Sequence, residues 1–155
     1  MINQFKGNYF YLSNFYEAPV NYDGIVYQNN EAAFQAQKTL DLETREKFRL
    51  LDPKSAKSLG RRIKLRDDWE QVKDQIMYDI CLAKFTQNPD LGRQLVSTTI
   101  HYLEEANTWG DKYWGTVNGV GKNHLGLILM RVREQIRRHK LIQPAIEFTK
   151  EEYLK

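Results

Sequence analysis

Asn29-Asn30-Glu31-Ala32-Ala33-Phe34-Gln35-Ala36-Gln37-Lys38 sets an acid and an amine among small, apolar and amide side chains. Nearly all of these residues are good helix formers. Asn29 or Asn30 can cap the first turn by accepting a hydrogen bond from an orphan backbone N–H, and Glu31 suits the positive end of the helix dipole. A helix over residues 30–39 follows. At 100° per residue, Glu31, Phe34, Gln35 and Lys38 share one face, with the two charges about 10 Å apart along the axis. Charges on such a face must meet water or line a cleft, because burial without partners is too costly. An amphipathic surface helix is the plain alternative; Phe34 in the middle of the face argues for the cleft.

Outward from this helix, the composition describes one globular domain. The chain has 155 residues, of which 41% are hydrophobic, 12% aromatic and 28% charged. That is enough for a full core and excludes disorder over most of the length. No long apolar run and no basic-then-apolar leader is present, so no membrane partner and a cytoplasmic location are expected. Cys81 stands alone, which fits a reducing compartment. With three histidines and one cysteine, no metal site is expected, and no cofactor. Net charge +3 is a mild basic bias, part of it in Arg131, Arg133, Arg137, Arg138, His139 and Lys140. Such a bias suits an anionic small molecule as well as a polynucleotide.

Before the helix, Phe5, Tyr9, Phe10, Tyr11 and Leu12 read as short strand, Ser13-Asn14-Phe15 as a loop, and Asn21-Tyr22-Asp23-Gly24 as the turn of a hairpin over 18–28. After it, helices are expected at 43–51, at 53–60 behind Asp52-Pro53, and at 68–86 behind Asp67 or Asp68. Trp69, Val72, Ile76, Ile80 and Ala83 give the last of these a core stripe, with Met77 and Cys81 as packing residues. Arg61 and Arg62 follow the stop at Gly60, free to meet an anion or the last helix carbonyls. A short helix over 90–96 and a strand over 98–103 come next.

Residues 104–123 carry four glycines and the aromatic run Trp109, Tyr113, Trp114 without periodicity. A loop this long in a compact domain is uncommon and often functional; the alternative is that its tryptophans plug the core. Asn123 is expected to cap a helix over 124–138, with Leu125, Ile128, Leu129, Val132 and Ile136 inward and the arginines outward. Residues 139–155, with Pro144, read as an appended segment.

Taken together, Leu12-Ser13-Asn14-Phe15, Glu31 through Lys38, Leu59-Gly60-Arg61, Trp69 with Lys73, Ala83-Lys84-Phe85, Asp111-Lys112-Tyr113-Trp114-Gly115 and Lys122-Asn123-His124-Leu125-Gly126 resemble the YbiA-like family, also called NADAR. The order and spacing match over about residues 5–138 of a single 1–155 domain. The resemblance implies a mainly helical α+β fold with a small N-terminal β-hairpin. It also implies an N-glycosidase that hydrolyses a ribose C–N bond in a phosphorylated nucleotide-like substrate. The substrates associated with the family are phosphoribosylamino-pyrimidine intermediates of riboflavin biosynthesis and ADP-ribose on guanine bases, the latter making nucleic acid a carrier. Glu31, Lys38 and Asp111 match its catalytic positions. Asn14, Phe15, Phe34, Arg61, Trp114, Gly115 and Asn123 match substrate-binding ones. The chain departs from the family at Ala32-Ala33, where His-Tyr is usual, a change that bears on the substrate more than on the reaction.

Glycosidic C–N cleavage builds positive charge on the ribose, so Glu31 would stabilise it and act as general base. Lys38 would either form an imine with the ring-opened sugar or act as a fixed cation. Trp114 would stack on the base or cover the ribose, Asp111 would bond to sugar hydroxyls or the leaving base, and Arg61 would take the phosphate. Glycines 115, 119 and 121 would let the loop close. The competing readings are an ADP-ribosyl-guanine glycohydrolase, a non-catalytic ADP-ribose-binding module and, last, a plain nucleic-acid binder.

Overall fold

The computed structural model describes residues 1–142. β1 (Glu17–Tyr22) and β2 (Ile25–Asn29) pair as an antiparallel hairpin. Asp23 and Gly24 make its turn with φ of 51° and 87°, the left-handed values that a two-residue hairpin turn needs. In β2 Ile25, Tyr27 and Asn29 are buried while Val26 and Gln28 are exposed, and the strand runs directly into α1 (Asn30–Ala36).

Asn29 is the residue that caps α1, accepting from the Ala32 N–H at 2.7 Å and donating to the Leu51 carbonyl at 3.0 Å. Every residue of α1 is buried, so the helix is not an amphipathic surface element. It packs against the hairpin, α3 (Pro53–Gly60) and α4 (Trp69–Gln87). Ala32, Ala33 and Ala36 are 0% exposed, small enough for the neighbours to approach closely. Regular helix stops at Ala36, earlier than expected. The N–H groups of Gln37 and Lys38 bond instead to carbonyls three residues back, at 3.1 and 3.2 Å, the tightened last turn common at helix ends. The Arg66 N–H then takes the Lys38 carbonyl at 2.7 Å.

Asp52 caps α3 through the Ser55 N–H, with Pro53 as its first residue, as expected. α5 (Pro89–Ser97) and α6 (His124–His139) complete a mainly helical α+β arrangement, α4 packing on α5, α6 and β1. Asp68 precedes α4 but makes no cap bond, because its carboxylate is held by Arg66 at 2.6 and 3.0 Å.

Several expectations are corrected. Residues 7–12 form a 3-10 helix (Gly7–Leu12), not a strand. Tyr11 and Leu12 are buried side by side while Tyr9 and Phe10 are exposed, so no strand-like alternation exists. The helix expected over 43–51 is α2 (Leu42–Glu46) followed by i,i+3 turns to Leu51. Its buried side chains, Arg45 and Phe48, are three residues apart, the 3-10 spacing. Residues 98–103 are not a strand. Thr98 bonds back to the Leu95 carbonyl, Thr99 takes φ 55°, Ile100 is exposed, and only Leu103 bridges to Ile2.

On α6, Arg133 points inward, donating to Thr98 Oγ1 at 2.9 Å and the His101 carbonyl at 2.8 Å. Arg131 lies over the Tyr78 ring, and Arg137 and Arg138 pair with Glu134. The arginines therefore do not form a free basic face. The appended segment expected over 139–155 lies beyond residue 142 outside the described residues. Among the described residues no helix is long and apolar enough to cross a membrane.

Candidate active site

The face of α1 read from the sequence lines a cavity of about 570 Å³. Glu31, Phe34, Gln35 and Lys38 all contribute to its wall. Ala32 and Ala33 do not; both are fully buried in the core. Glu31 is fixed from both ends. Its N–H donates to the Asn14 carbonyl at 3.1 Å, and its Oε1 accepts from Gln35 Nε2 at 2.8 Å, one helical turn on. Gln35 in turn nests against Gly60, where a Cβ would stand 2.0 Å from Gln35 Oε1. Burial pushes the Glu31 carboxyl above its ordinary value, and Asp111 adds to the rise. The Gln35 hydrogen bond, Lys57 and Lys38 oppose it. Burial pushes Lys38 down, with Arg61 and Lys57 in the same direction and Glu31 against.

The rest of the lining includes the Ser13–Phe15 loop and residues between 105 and 114. Asn14 is held from behind, its Oδ1 accepting from Asn30 Nδ2 at 3.2 Å. The segment is anchored by Lys84, which is 0% exposed. Lys84 Nζ donates to the carbonyls of Tyr11 and Ser13 at 2.6 and 3.0 Å, with the Phe85 ring centroid 4.9 Å away. Burial lowers its pKa to about 8.

In the long loop, Asn107 bonds the Asp111 backbone through both its amide atoms, at 2.8 and 3.0 Å. Asp111 Oδ1 accepts the N–H groups of Tyr113 and Trp114 at 3.0 and 2.9 Å, an Asx turn that fixes both rings. The Trp114 ring stands edge-on to Phe34 at 5.4 Å and to Tyr113 at 4.8 Å, and Phe34 meets Trp69 at 5.1 Å. Trp114 is half-buried and Trp109 exposed, so both tryptophans border the cavity and neither plugs the core.

The structure thus brings together Asn14, Phe15, Glu31, Phe34, Lys38, Asp111 and Trp114. Arg61, Gly115 and Asn123 lie outside the lining. Arg61 caps α3 with its side chain exposed. At Gly115 the backbone passes close to Glu105: a Cβ there would sit 2.0 Å from the Glu105 carbonyl oxygen. Asn123 is left-handed (φ 52°) and makes no side-chain cap bond; it donates instead to the Leu103 carbonyl and Tyr102 hydroxyl and accepts from the Glu105 N–H.

Residues that sequence reasoning missed include Lys57, whose Nζ is 6.0 and 5.9 Å from the Phe15 and Trp109 ring centroids at the cavity, and Glu105. Burial, then Asp111 and Glu31, push the Glu105 carboxyl up to about 7, against Lys57 and Lys6. Lysine in the last turn of α3 and the acidic pair opening the glycine-rich loop were the available signals. Among the described residues no group of three or more His, Cys, Asp or Glu is placed to hold a metal ion.

An aromatic-walled cavity with convergent carboxylates and lysines, set on a mainly helical α+β fold, is that of a small-molecule site with acid–base capability. The NADAR domain matches residues 2–137, and the chain belongs to that family. N-glycosidase YbiA of Shigella flexneri serotype 5b is 44% identical over 129 residues, covering 81% of this chain and 80% of that protein. Riboflavin biosynthesis protein VVA0006 of Vibrio vulnificus is 36% identical over 85% of this chain, which spans 37% of that protein. The NMR structure of the E. coli protein YbiA superposes with a TM-score of 0.80 at 38% identity, covering 96% of this chain and 92% of that one.

Proposed function

We propose that this protein is an N-glycosidase that hydrolyses the bond between a ribose carbon and a base nitrogen in a phosphorylated nucleotide-like substrate. The observation that carries the reading is Glu31: a buried carboxyl, hydrogen-bonded by Gln35 and facing an aromatic-lined cavity beside Lys38 and Lys57. The names of the relatives, N-glycosidase and riboflavin biosynthesis protein, support it. They favour a phosphoribosylamino-pyrimidine as substrate.

As the C–N bond stretches, Glu31 stabilises the cationic ribose and takes a proton from the attacking water. Lys57 and Lys38 meet the phosphate, in the part that the sequence assigned to Arg61. Trp114, held by Phe34 and Tyr113, stacks on the base, and the Oδ2 of Asp111 receives a sugar hydroxyl. The lowered pKa of Lys38 favours a second role for this amine, an imine with the ring-opened ribose, which borohydride would trap.

The test is base release, followed by chromatography, from a phosphoribosylamino-pyrimidine and from an ADP-ribosylated guanosine oligonucleotide, each with wild type and Glu31→Ala. Glu31-dependent cleavage of the pyrimidine is expected. Cleavage of the oligonucleotide alone would move the substrate to ADP-ribosyl-guanine. Cleavage of neither, with tight ADP-ribose binding by calorimetry, would make the protein a binding module.

A further inference from the structure

Glu105 is the second buried carboxyl of the cavity, and two of the motif residues that do not reach the cavity, Gly115 and Asn123, are arranged around it. It is 9% exposed and lines the same cavity as Glu31 and Asp111. Its Oε2 is buried without a hydrogen-bond partner among the described residues. Its backbone is held on both sides: the N–H donates to Asn123 Oδ1 at 2.9 Å, and the carbonyl accepts from the Thr116 N–H at 2.9 Å. At Gly115 a Cβ would come within 2.0 Å of the Glu105 carbonyl oxygen and 2.9 Å of its Cγ. Left-handed Asn123 and Cβ-less Gly115 therefore both serve the placement of this one side chain.

We propose that Glu105 is the proton donor to the departing base, with Gly115 and Asn123 as its positioning residues. This inference rests on the N-glycosidase reading. In the step, the ribose C–N bond breaks and its electron pair goes to nitrogen, which receives the Glu105 proton. Water adds its oxygen to the ribose carbon and gives a proton to Glu31, and exchange with solvent resets both carboxyls. An imine at Lys38 leaves the same demand, since the nitrogen must still be protonated to leave.

The two glutamates differ in the groups that stand beside them. Burial raises the Glu31 carboxyl as well, but the Gln35 donor and the Lys57 and Lys38 charges beside it oppose that rise and favour its ionised form. Glu105 faces two other carboxylates and holds its proton up to about pH 7.

The experiment is kcat/KM on the phosphoribosylamino-pyrimidine from pH 5 to 9 with the full chain. The alkaline limb of such a profile reports the free enzyme's essential acid. Wild-type activity should fall above about pH 7, the pKa that burial gives Glu105. Glu105→Gln, folded by circular dichroism, should lose about 10²-fold or more at pH 6 and lose the alkaline limb; Glu105→Asp should keep that limb at a reduced rate. A wild-type profile flat through pH 7 would overturn the proposal whether or not the variants fold. So would a Glu105→Gln enzyme that is merely slower with its limb in place. Absence of any Glu31-dependent turnover in wild type would instead overturn the N-glycosidase reading, and this inference with it.

Discussion

The two walls of the cavity each present a buried glutamate, but they hold it over very different lengths of chain. On α1, Glu31 is set by neighbours within four residues: the Asn29 cap and the Gln35 amide, with one outside bond from its N–H to the Asn14 carbonyl. In the loop, Glu105 is set by Thr116, Gly115 and Asn123, the last 18 residues away. The helical wall therefore leans on few residues outside it, chiefly Asn14 and Gly60, and the loop wall depends on residues that lie off the cavity lining.

The largest expected effect is at the centre of the helical wall. Glu31→Gln keeps the hydrogen-bonding shape, so binding by calorimetry should be near normal while turnover falls by about 10²- to 10⁴-fold. Retained turnover would break the comparison at its base.

Lys84→Met tests the Ser13–Phe15 segment, whose Asn14 carbonyl accepts the Glu31 N–H. It leaves the buried carbonyls of Tyr11 and Ser13 without their donor, at about 1–3 kcal/mol for each group left unsatisfied, measured by urea denaturation. Gly115→Ala should cost about 1–3 kcal/mol, since the new methyl meets backbone, and should lower turnover while leaving Glu31-side binding intact. Equal damage to both walls would contradict the independence drawn above.

The last effect is in the pH dependence of stability. Glu105 is raised from 4.5 to about 7 on folding, so the native state binds its proton more tightly. Its stabilising contribution is full below pH 4.5 and is lost as pH rises through about 7. The difference in unfolding free energy between wild type and Glu105→Gln should follow that window; the opposite slope would assign the raised pKa to another group.

What could be read from the sequence follows the same division. The hairpin turn, the Asn29 cap, the Asp52-Pro53 start and the shared face of Glu31, Phe34, Gln35 and Lys38 are local, and local chemistry decided them. Residues 9–12 and 98–103 look like strands by side-chain type, yet Lys84 claims the carbonyls of Tyr11 and Ser13, and Arg133 ties down Thr98 and His101. Nothing in the spacing of either pair announces those bonds. For the same reason Gly115 and Asn123 could be matched as motif residues while their target, Glu105, stayed hidden between them and the core. Lys57 was hidden differently: it sits on a helix whose end drew attention to Arg61, one turn further along.

Gly60 has a consequence for how this family can vary. Its bare Cα gives Gln35 the space from which it reaches Glu31, so the two positions are constrained jointly. A side chain gained at 60 must be matched by a shorter one at 35, and an amide lost at 35 frees 60 to drift. In a library randomised at both positions and selected for turnover, Gly with Gln should therefore return as a linked pair, and each should lose its advantage without the other.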